Sequence, residues 1–223
     1  MDNNLKSVIE KKIELTSKAL NKNNIETYFA KKKEDVWAIV ETLLKENDVI
    51  ASGGSMSLEE CGITQKLRTD SRFTYLDRTA VAPEEVPALY IKSFSSDVYL
   101  CSSNAVTENG ELYNVDGNCN RIACIAFGPK SVIMVVGYNK IVKDLDSAIM
   151  RVKELSAPAN CNRLSCSTPC SATGQCISLK KDNPEMTDGC NCDSRVCCNY
   201  LVSGFQRHKG RIKVIFVGEE LGY

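Results

Sequence analysis

The chain has 223 residues, and its 28 lysines and arginines are balanced by 28 aspartates and glutamates. This balance leaves no basic excess for binding nucleic acid or an anionic membrane surface. No apolar run reaches the roughly 18 residues that a membrane-spanning helix needs. Residues 1–4 also lack the basic start of a secretory signal. We therefore expect a cytoplasmic protein with no nucleic-acid or membrane partner.

Apolar periodicity predicts helices that alternate with short strands along most of the chain. Helices are predicted over residues 3–22, 33–46, 83–95, 121–127 and 144–155, with another starting at a Ser57/Glu60 capping box, and strands over residues 25–30, 48–52, 73–77, 97–101, 131–136 and 213–217. This alternation indicates an α/β fold with a three-layer, open, mostly parallel sheet and helices on both faces. We expect one domain over residues 1–223, with a Cys-rich irregular excursion (residues 160–198) before the last strand.

Two polar segments follow predicted strands, at the edge where open parallel sheets bind their ligands. The first segment contains two glycines, which let backbone N–H groups approach an anion at the start of a helix. Its expected ligand-binding residues are Gly53, Gly54, Ser55 and Ser57. A two-glycine turn without a binding role is the alternative.

The second polar segment, residues 102–121, has more polar side chains than a turn requires. Its expected ligand-binding residues are Asn104, Asp116, Asn120 and Arg121. Glu108 and Asp116 are candidates for a general acid or base, because desolvation raises the pKa of a carboxyl group toward neutrality. Arg121 and Lys140 are candidates for holding a carboxylate or phosphate. Alternatively, the Asn and Asp side chains only bond their own turns.

Twelve cysteines are present, and eight of them lie between Cys161 and Cys198. In a reducing cytosol such density indicates metal binding more often than disulfides. The expected ligands are Cys170, Cys176, Cys192 and Cys197, with Cys190 or Cys198 as an alternative fourth ligand. A set of four thiolates binds zinc or a [4Fe–4S] cluster, and the absence of a C-x2-C spacing slightly favours the cluster. Free or disulfide-paired thiols remain the alternative.

Several motifs carry a resemblance to a known family. They are Gly53–Ser57, Asn104–Gly110, Asp116-Gly117, Asn120-Arg121, residues 127–130 and residues 139–142. This pattern is similar to the LUD (lactate-utilisation) family, whose fold is that of ribose-phosphate isomerase and the CoA transferases (NagB/RpiA/CoA transferase-like). The cysteine tail resembles one subset of that family. Cys119 departs from the pattern, since LUD proteins commonly have glycine there.

The resemblance implies a protein that binds a small anionic metabolite and takes part, with partner subunits, in oxidising lactate to pyruvate. In the isomerase relatives a lysine near the position of Lys140 lines the active site, which implies a catalytic role for Lys140. One alternative is a stand-alone isomerase or acyl- or CoA-transfer enzyme, with Glu108 as base or nucleophile. A metal-binding protein of regulatory role is the other.

Overall fold

A six-stranded parallel sheet forms the centre of the computed structural model, which describes residues 2–223. From edge to edge its strands are β1 (Glu26–Ala30), β10 (Ile212–Val217), β7 (Ser131–Gly137), β4 (Val98–Cys101), β2 (Val49–Ser52) and β3 (Thr74–Leu76). Every neighbouring pair is parallel. The predicted α/β fold is confirmed, and the last strand returns to this sheet between β1 and β7.

Helices cover both faces of the sheet. They are α1 (Asn3–Lys22), α2 (Val36–Leu43), α3 (Met56–Glu60), α4 (Ile63–Thr69), α5 (Val86–Ser93), α6 (Asn120–Ala126), α7 (Leu145–Arg151), α8 (Ala157–Arg163) and α9 (Pro169–Thr173). Along β7, Val132 and Met134 pack with α1 and α6, whereas Ile133 and Val135 pack with α2, α3 and α4. None of the described helices is long and apolar enough to cross a membrane.

A second sheet has four strands, two of which come from residues 102–121, the segment predicted as a polar loop. Its order is β8 (Ile141–Val142), β5 (Ala105–Thr107), β6 (Leu112–Asp116) and β9 (Asn199–Ser203). β5 and β6 form an antiparallel hairpin whose turn contains Gly110 at φ +88°. A Cβ there would lie 2.7 Å from the backbone carbon of Ala19, so only glycine fits. The polar segment is therefore a buried hairpin.

The helix after the glycine loop begins two residues earlier than predicted. Ser55, and not Ser57, is its N-cap, because the Ser55 hydroxyl accepts a hydrogen bond from the Leu58 N–H. Glu60 does not close a capping box with Ser57, since its carboxylate accepts the N–H of Gly222. Ser57 is thereby free to point into the protein, where it is fully buried.

A buried lysine attaches the cysteine-rich excursion to the rest of the chain, and a partly buried arginine links positions within it. Lys153 lies in a π-helical turn (Val152–Ser156) that joins α7 to α8. Its ammonium donates to the Asp188 carbonyl at 2.5 Å and lies 3.3 Å from the Ser178 hydroxyl. Arg195 donates to the carbonyls of Cys190 and Cys197. Because β9 then pairs with β6, the excursion closes onto the second sheet.

Cys119 occupies a left-handed backbone conformation, with φ +62° and ψ −8°, directly before α6. A residue with a Cβ costs about 1–2 kcal/mol there, whereas glycine adopts it freely. We expect Cys119→Gly to raise the free energy of unfolding by about 0.5–1 kcal/mol, because the relieved strain exceeds the extra chain entropy of glycine. Urea unfolding followed by circular dichroism measures this change.

Cys119→Ala is the matched control, because it removes the thiol but keeps the Cβ. Its stability should remain within about 0.5 kcal/mol of the wild-type value. Equal stabilisation by alanine and glycine would show that loss of the thiol, and not relief of backbone strain, is responsible.

Candidate functional site

A polar cavity of about 440 Å³ opens at the carboxyl ends of three neighbouring strands, β2, β4 and β7. Of the residues predicted from the sequence, Gly54, Ser55, Asn104, Asp116, Asn120, Arg121 and Lys140 line it. Gly53 and Ser57 lie just behind this lining; Gly53 donates its N–H to Leu100, and Ser57 contacts Lys140. The structure thus brings the glycine loop, the hairpin and Lys140 together.

Lys140 is buried at the inner end of this cavity. It follows β7, and its Nζ lies 3.1 Å from both the Ser57 Oγ and the Ser102 Oγ. Only 3% of the residue is exposed. Burial, together with the positive charges of Arg151 and Arg121, lowers the pKa of Lys140 to about 7. A large share of the Lys140 side chains is therefore neutral near physiological pH.

Arg151, on α7, fixes the backbone on either side of the site. Its guanidinium donates to the Asn139 carbonyl at 3.1 Å and to the Asn104 carbonyl at 2.7 Å, and it also bonds the Ser156 hydroxyl. It thereby links the segment before Lys140 to the segment after β4. Burial lowers the pKa of Arg151 to about 10, which leaves the side chain charged at neutral pH.

Arg121 holds the cavity wall together through neutral acceptors. Its Nη1 donates to the Ser102 carbonyl and the Asn114 Oδ1, and its Nη2 donates to the Asn104 Oδ1 and the Val115 carbonyl. These four bonds use all the protons of the two terminal nitrogens. Nε, at 3.7 Å from the Asp116 carboxylate, is the remaining donor. Arg121 therefore shapes the site more than it offers donors to a ligand.

Two other predicted polar residues also bond the protein itself. The Asp116 carboxylate accepts the backbone N–H groups of Arg121 and Ile122, which start α6. The Asn104 Oδ1 accepts the N–H of Val115 besides the Arg121 guanidinium. Both residues still line the cavity, so each combines a local structural contact with a polar group facing the interior.

Glu108 does not reach the cavity. It lies in the turn after β5, where its half-exposed carboxylate pairs with Lys12 of α1 at 2.9 Å. The hairpin explains this placement, because β5 carries the chain away from the strand ends and toward α1. The acidic groups that do line the cavity are Asp116 and Asp193. A role for Glu108 as base or nucleophile therefore lacks geometric support.

Several cavity residues were missed from the sequence. They are Arg78, Tyr90, Ser102, Ser103, Arg163 and residues 193–196. Ser102 was detectable, since it directly follows a predicted strand. Arg78 lies so close to the glycine loop that a Cβ on Gly54 would come within 2.5 Å of its Nη2. A side chain at Gly54 would therefore displace the Arg78 guanidinium, and this proximity depends on tertiary packing that no local pattern reveals.

The cysteines of the tail surround a smaller, apolar cavity beside the first. Cys161, Cys170, Cys176, Cys190 and Cys197 line it, whereas the predicted ligand Cys192 does not. The Sγ of Cys192 lies 3.0 Å from that of Cys190. Within residues 2–223 no three Cys, His, Asp or Glu side chains converge as ligands of a single ion would. Three of the four predicted thiols thus share one cavity, and Cys190 stands where Cys192 was expected.

The two cavities share a wall. Arg195 and Val196, between Cys192 and Cys197, line both of them. Asp193 and Ser194 line only the polar cavity. The conformation of this short segment therefore influences the shape of both cavities.

Substitution of Arg121 and substitution of Arg163 should have different effects on the stability of the protein. We expect Arg121→Met to lower the free energy of unfolding by about 2–4 kcal/mol, because buried acceptors on Asn104 and Asn114 lose their donors. Arg163 is exposed and bonds only the neighbouring Asn160 side chain. Arg163→Met should change stability by less than about 0.5 kcal/mol. Urea unfolding compares them, and equal losses would contradict the structural role of Arg121.

Comparison with known proteins supports the fold and identifies the family. Among solved structures, the crystal structure of a DUF162 family protein from Deinococcus radiodurans is similar, with a TM-score of 0.51 and 14% sequence identity. The alignment covers 94% of this chain and 98% of that one, and identity this low shows the fold alone. No curated protein matches significantly. The LUD domain model matches residues 13–217, and the chain therefore belongs to the LUD domain family.

Proposed function

We propose that this protein binds a small anionic metabolite in the polar cavity and takes part, with partner subunits, in the oxidation of lactate to pyruvate in the cytoplasm. Membership of the LUD domain family supports the proposed part in lactate oxidation. One observation about the cavity supports an anionic ligand: two basic side chains line it that pair with no carboxylate of residues 2–223. The cavity volume of about 440 Å³ also lies within the range of about 300–1,000 Å³ common for metabolite pockets.

Arg78 and Arg163 are the cations available to a ligand. Neither forms an ion pair within residues 2–223, as judged from the pairs found there. Arg78 has only a long contact, 3.5 Å, with the Tyr90 hydroxyl. A guanidinium with free donors matches the two oxygens of a carboxylate, and the match is stronger in a partly enclosed site. These two side chains are therefore the proposed anion clamp.

For the tail we propose a [4Fe–4S] cluster held by Cys170, Cys176, Cys190 and Cys197. The thiols surround a cavity without converging on one point, which suits a cluster, where each thiolate binds a different iron, better than a single zinc ion. Hydroxyl groups lie beside two of the sulfurs. The Thr168 Oγ1 is 3.3 Å from the Cys170 Sγ, and the Ser178 Oγ is 3.1 Å from the Cys176 Sγ. When bound, such a cluster would supply a one-electron carrier or a cross-link for the tail.

Two basic side chains would offset the negative charge that four thiolates bring. Lys153 bonds the Ser178 hydroxyl beside Cys176, and Arg195 donates to the carbonyls of Cys190 and Cys197. Both are partly or fully buried, so their charges are weakly screened. The tail thus contains thiols, hydroxyls and cations in the combination that a thiolate-ligated cluster requires.

The proposed clamp can be tested by titrating the protein with L-lactate, pyruvate and inorganic phosphate in a calorimeter. We expect at least one of them to bind, and Arg78→Met and Arg163→Met each to weaken binding about tenfold, equivalent to about 1.4 kcal/mol for one lost charged contact. Lys209→Met, at an exposed lysine outside the cavity, should bind like the wild type. Binding that neither arginine variant weakens would contradict the clamp.

The cluster can be tested on protein purified without oxygen, by iron and zinc analysis and visible absorption. We expect about four irons per chain and a broad absorption band, both lost in Cys176→Ser and Cys190→Ser. Cys192→Ser should keep both signals, and Cys166→Ser is the matched control outside the thiol cavity. Zinc at one per chain would contradict the cluster, and equal losses in Cys190→Ser and Cys192→Ser would contradict the revised ligand set.

A further inference from the structure

Two serines and a lysine meet at the inner end of the polar cavity. Ser57, Ser102 and Lys140 follow β2, β4 and β7, three neighbouring strands of the parallel sheet. The Lys140 Nζ lies 3.1 Å from each hydroxyl, and the hydroxyls are 3.5 Å apart. Ser102 and Lys140 line the cavity, while Ser57 lies behind them. The topology thus assembles a Ser–Ser–Lys cluster where a ligand can reach one hydroxyl.

This cluster lacks the partner that a structural lysine usually has. Within residues 2–223, the hydrogen-bond partners of the Lys140 Nζ are the two hydroxyls, and no carboxylate pairs with it. Burial is the largest cause that lowers the pKa of Lys140 to about 7, and the positive charges of Arg151 and Arg121 lower it further. Glu60 and Cys101 act in the opposite direction. A neutral amine has a lone pair that can accept the proton of a hydroxyl.

We propose that Ser102 is a nucleophile for acyl transfer, that Lys140 is its general base, and that Ser57 positions the amine. The proposal rests on the proposed function, since the acyl donor would use the same anion clamp. Ser102 is chosen over Ser57 because it lines the cavity, whereas Ser57 is fully buried behind it. Each hydroxyl also has a carbonyl within reach, that of Ser103 at 3.3 Å from Ser102 and that of Leu221 at 3.5 Å from Ser57.

The reaction takes an ester or thioester of a small acid that carries a second, free carboxylate. The Ser102 oxygen bonds to the acyl carbon while its proton passes to Lys140. The carbon–oxygen or carbon–sulfur bond of the donor then breaks, and the Lys140 ammonium returns the proton to the departing alkoxide or thiolate. Water attacks the acyl-serine in the second half, giving its proton to Lys140, and the serine leaves as its hydroxyl with that proton. No oxidant or reductant is required.

The basic residues of the cavity define the substrate class. Arg78 and Arg163 line the same cavity as Ser102, so the free carboxylate of the donor would bind there while the acyl carbon faces the serine. A neutral long-chain ester has little apolar surface to bind, since the lining is mostly polar or charged. The expected donor is a short, dianionic or monoanionic acyl ester or thioester.

The first experiment uses two probes, a neutral fluorophosphonate and the anionic ester mono-4-nitrophenyl succinate. We expect the fluorophosphonate to add one phosphonyl group to the intact protein, mapped by mass spectrometry to Ser102. The ester should release nitrophenol in an initial burst and leave a succinyl group on Ser102. An adduct on Lys140, or no adduct on Ser102 from either probe, would overturn the proposal.

Variants separate the three roles. Ser102→Ala should lose both adducts, and Lys140→Met should label at least 100-fold more slowly. Ser57→Ala should label about tenfold more slowly, and Ser7→Ala, at an exposed serine of α1, should label like the wild type. Circular dichroism and urea unfolding establish that each variant is folded. Lys140→Met labelling at the wild-type rate in a folded protein would overturn the role of the lysine.

The pH dependence gives a readout that a structural lysine would not produce. Only the neutral amine accepts a proton, so the labelling rate should be low near pH 5.5, rise through about pH 7 and level off above it. Arg151, Arg121, Glu60 and Cys101 are the charged or titratable groups around the amine, and none of them has an ordinary pKa near 7. A rate independent of pH between 5.5 and 8.5 would overturn the proposal.

The neutral probe distinguishes this inference from the proposed function. If fluorophosphonate labels Ser102 but lactate, pyruvate and phosphate all fail to bind, the proposed ligand class is wrong and the Ser–Lys pair stands. If the anions bind and Ser102 stays unlabelled by both probes, the anion site stands and the acyl-transfer inference is wrong.

Discussion

The burial of basic side chains whose acceptors are mainly neutral is the constraint on which the site depends. Within residues 2–223, the one carboxylate contact among them joins the Arg121 Nε and Asp116 at 3.7 Å. Arg121, Arg151 and Lys140 are all largely buried, and their acceptors are mainly carbonyls, amides and hydroxyls. Neutral acceptors satisfy hydrogen-bond donors but do not cancel charge, so the three cations repel one another in a medium of low dielectric constant. Lys140 is the group that can relieve this repulsion by losing a proton, whereas the guanidinium groups stay charged. Burial is the largest cause of the low pKa of Lys140, and the arginines that build the site lower it further.

Much of the main sheet was predictable, because its central strands are mostly buried and read as short apolar runs. The predicted strand over residues 97–101 corresponds to Val98–Cys101, and that over residues 131–136 to Ser131–Gly137. The second sheet was not predicted, since its strands are short and interrupted by polar residues such as Asn114. One local signal was available: Asn109-Gly110 between two apolar segments is a strong hairpin pattern.

The site shows the same division between local and long-range information. The glycine loop was found because it directly follows a predicted strand of the parallel sheet, whereas Lys140 was singled out by the family resemblance. Glu108 was misplaced because the unrecognised hairpin turns it toward Lys12. Cys190 replaces Cys192 in the thiol cavity, although the two are only two residues apart in an irregular segment. Residue type and spacing gave no sign of the position of Glu108 and left Cys190 open as an alternative to Cys192, since both positions depend on where the backbone turns.

The shared wall between the cavities connects the tail to the site. Residues 193–196 have no regular secondary structure, and Arg195 is fixed by carbonyls of the same cysteine segment. Their position therefore depends on how the neighbouring thiols are held. If Cys190 and Cys197 bind a common cluster, the cluster holds residues 193–196 from both sides. The free-energy cost of ordering these residues, about 1–2 kcal/mol per residue, is then offset by cluster binding before a ligand enters. The tail would then contribute to metabolite binding by preorganising one side of the polar cavity, without contacting the reacting groups at Lys140.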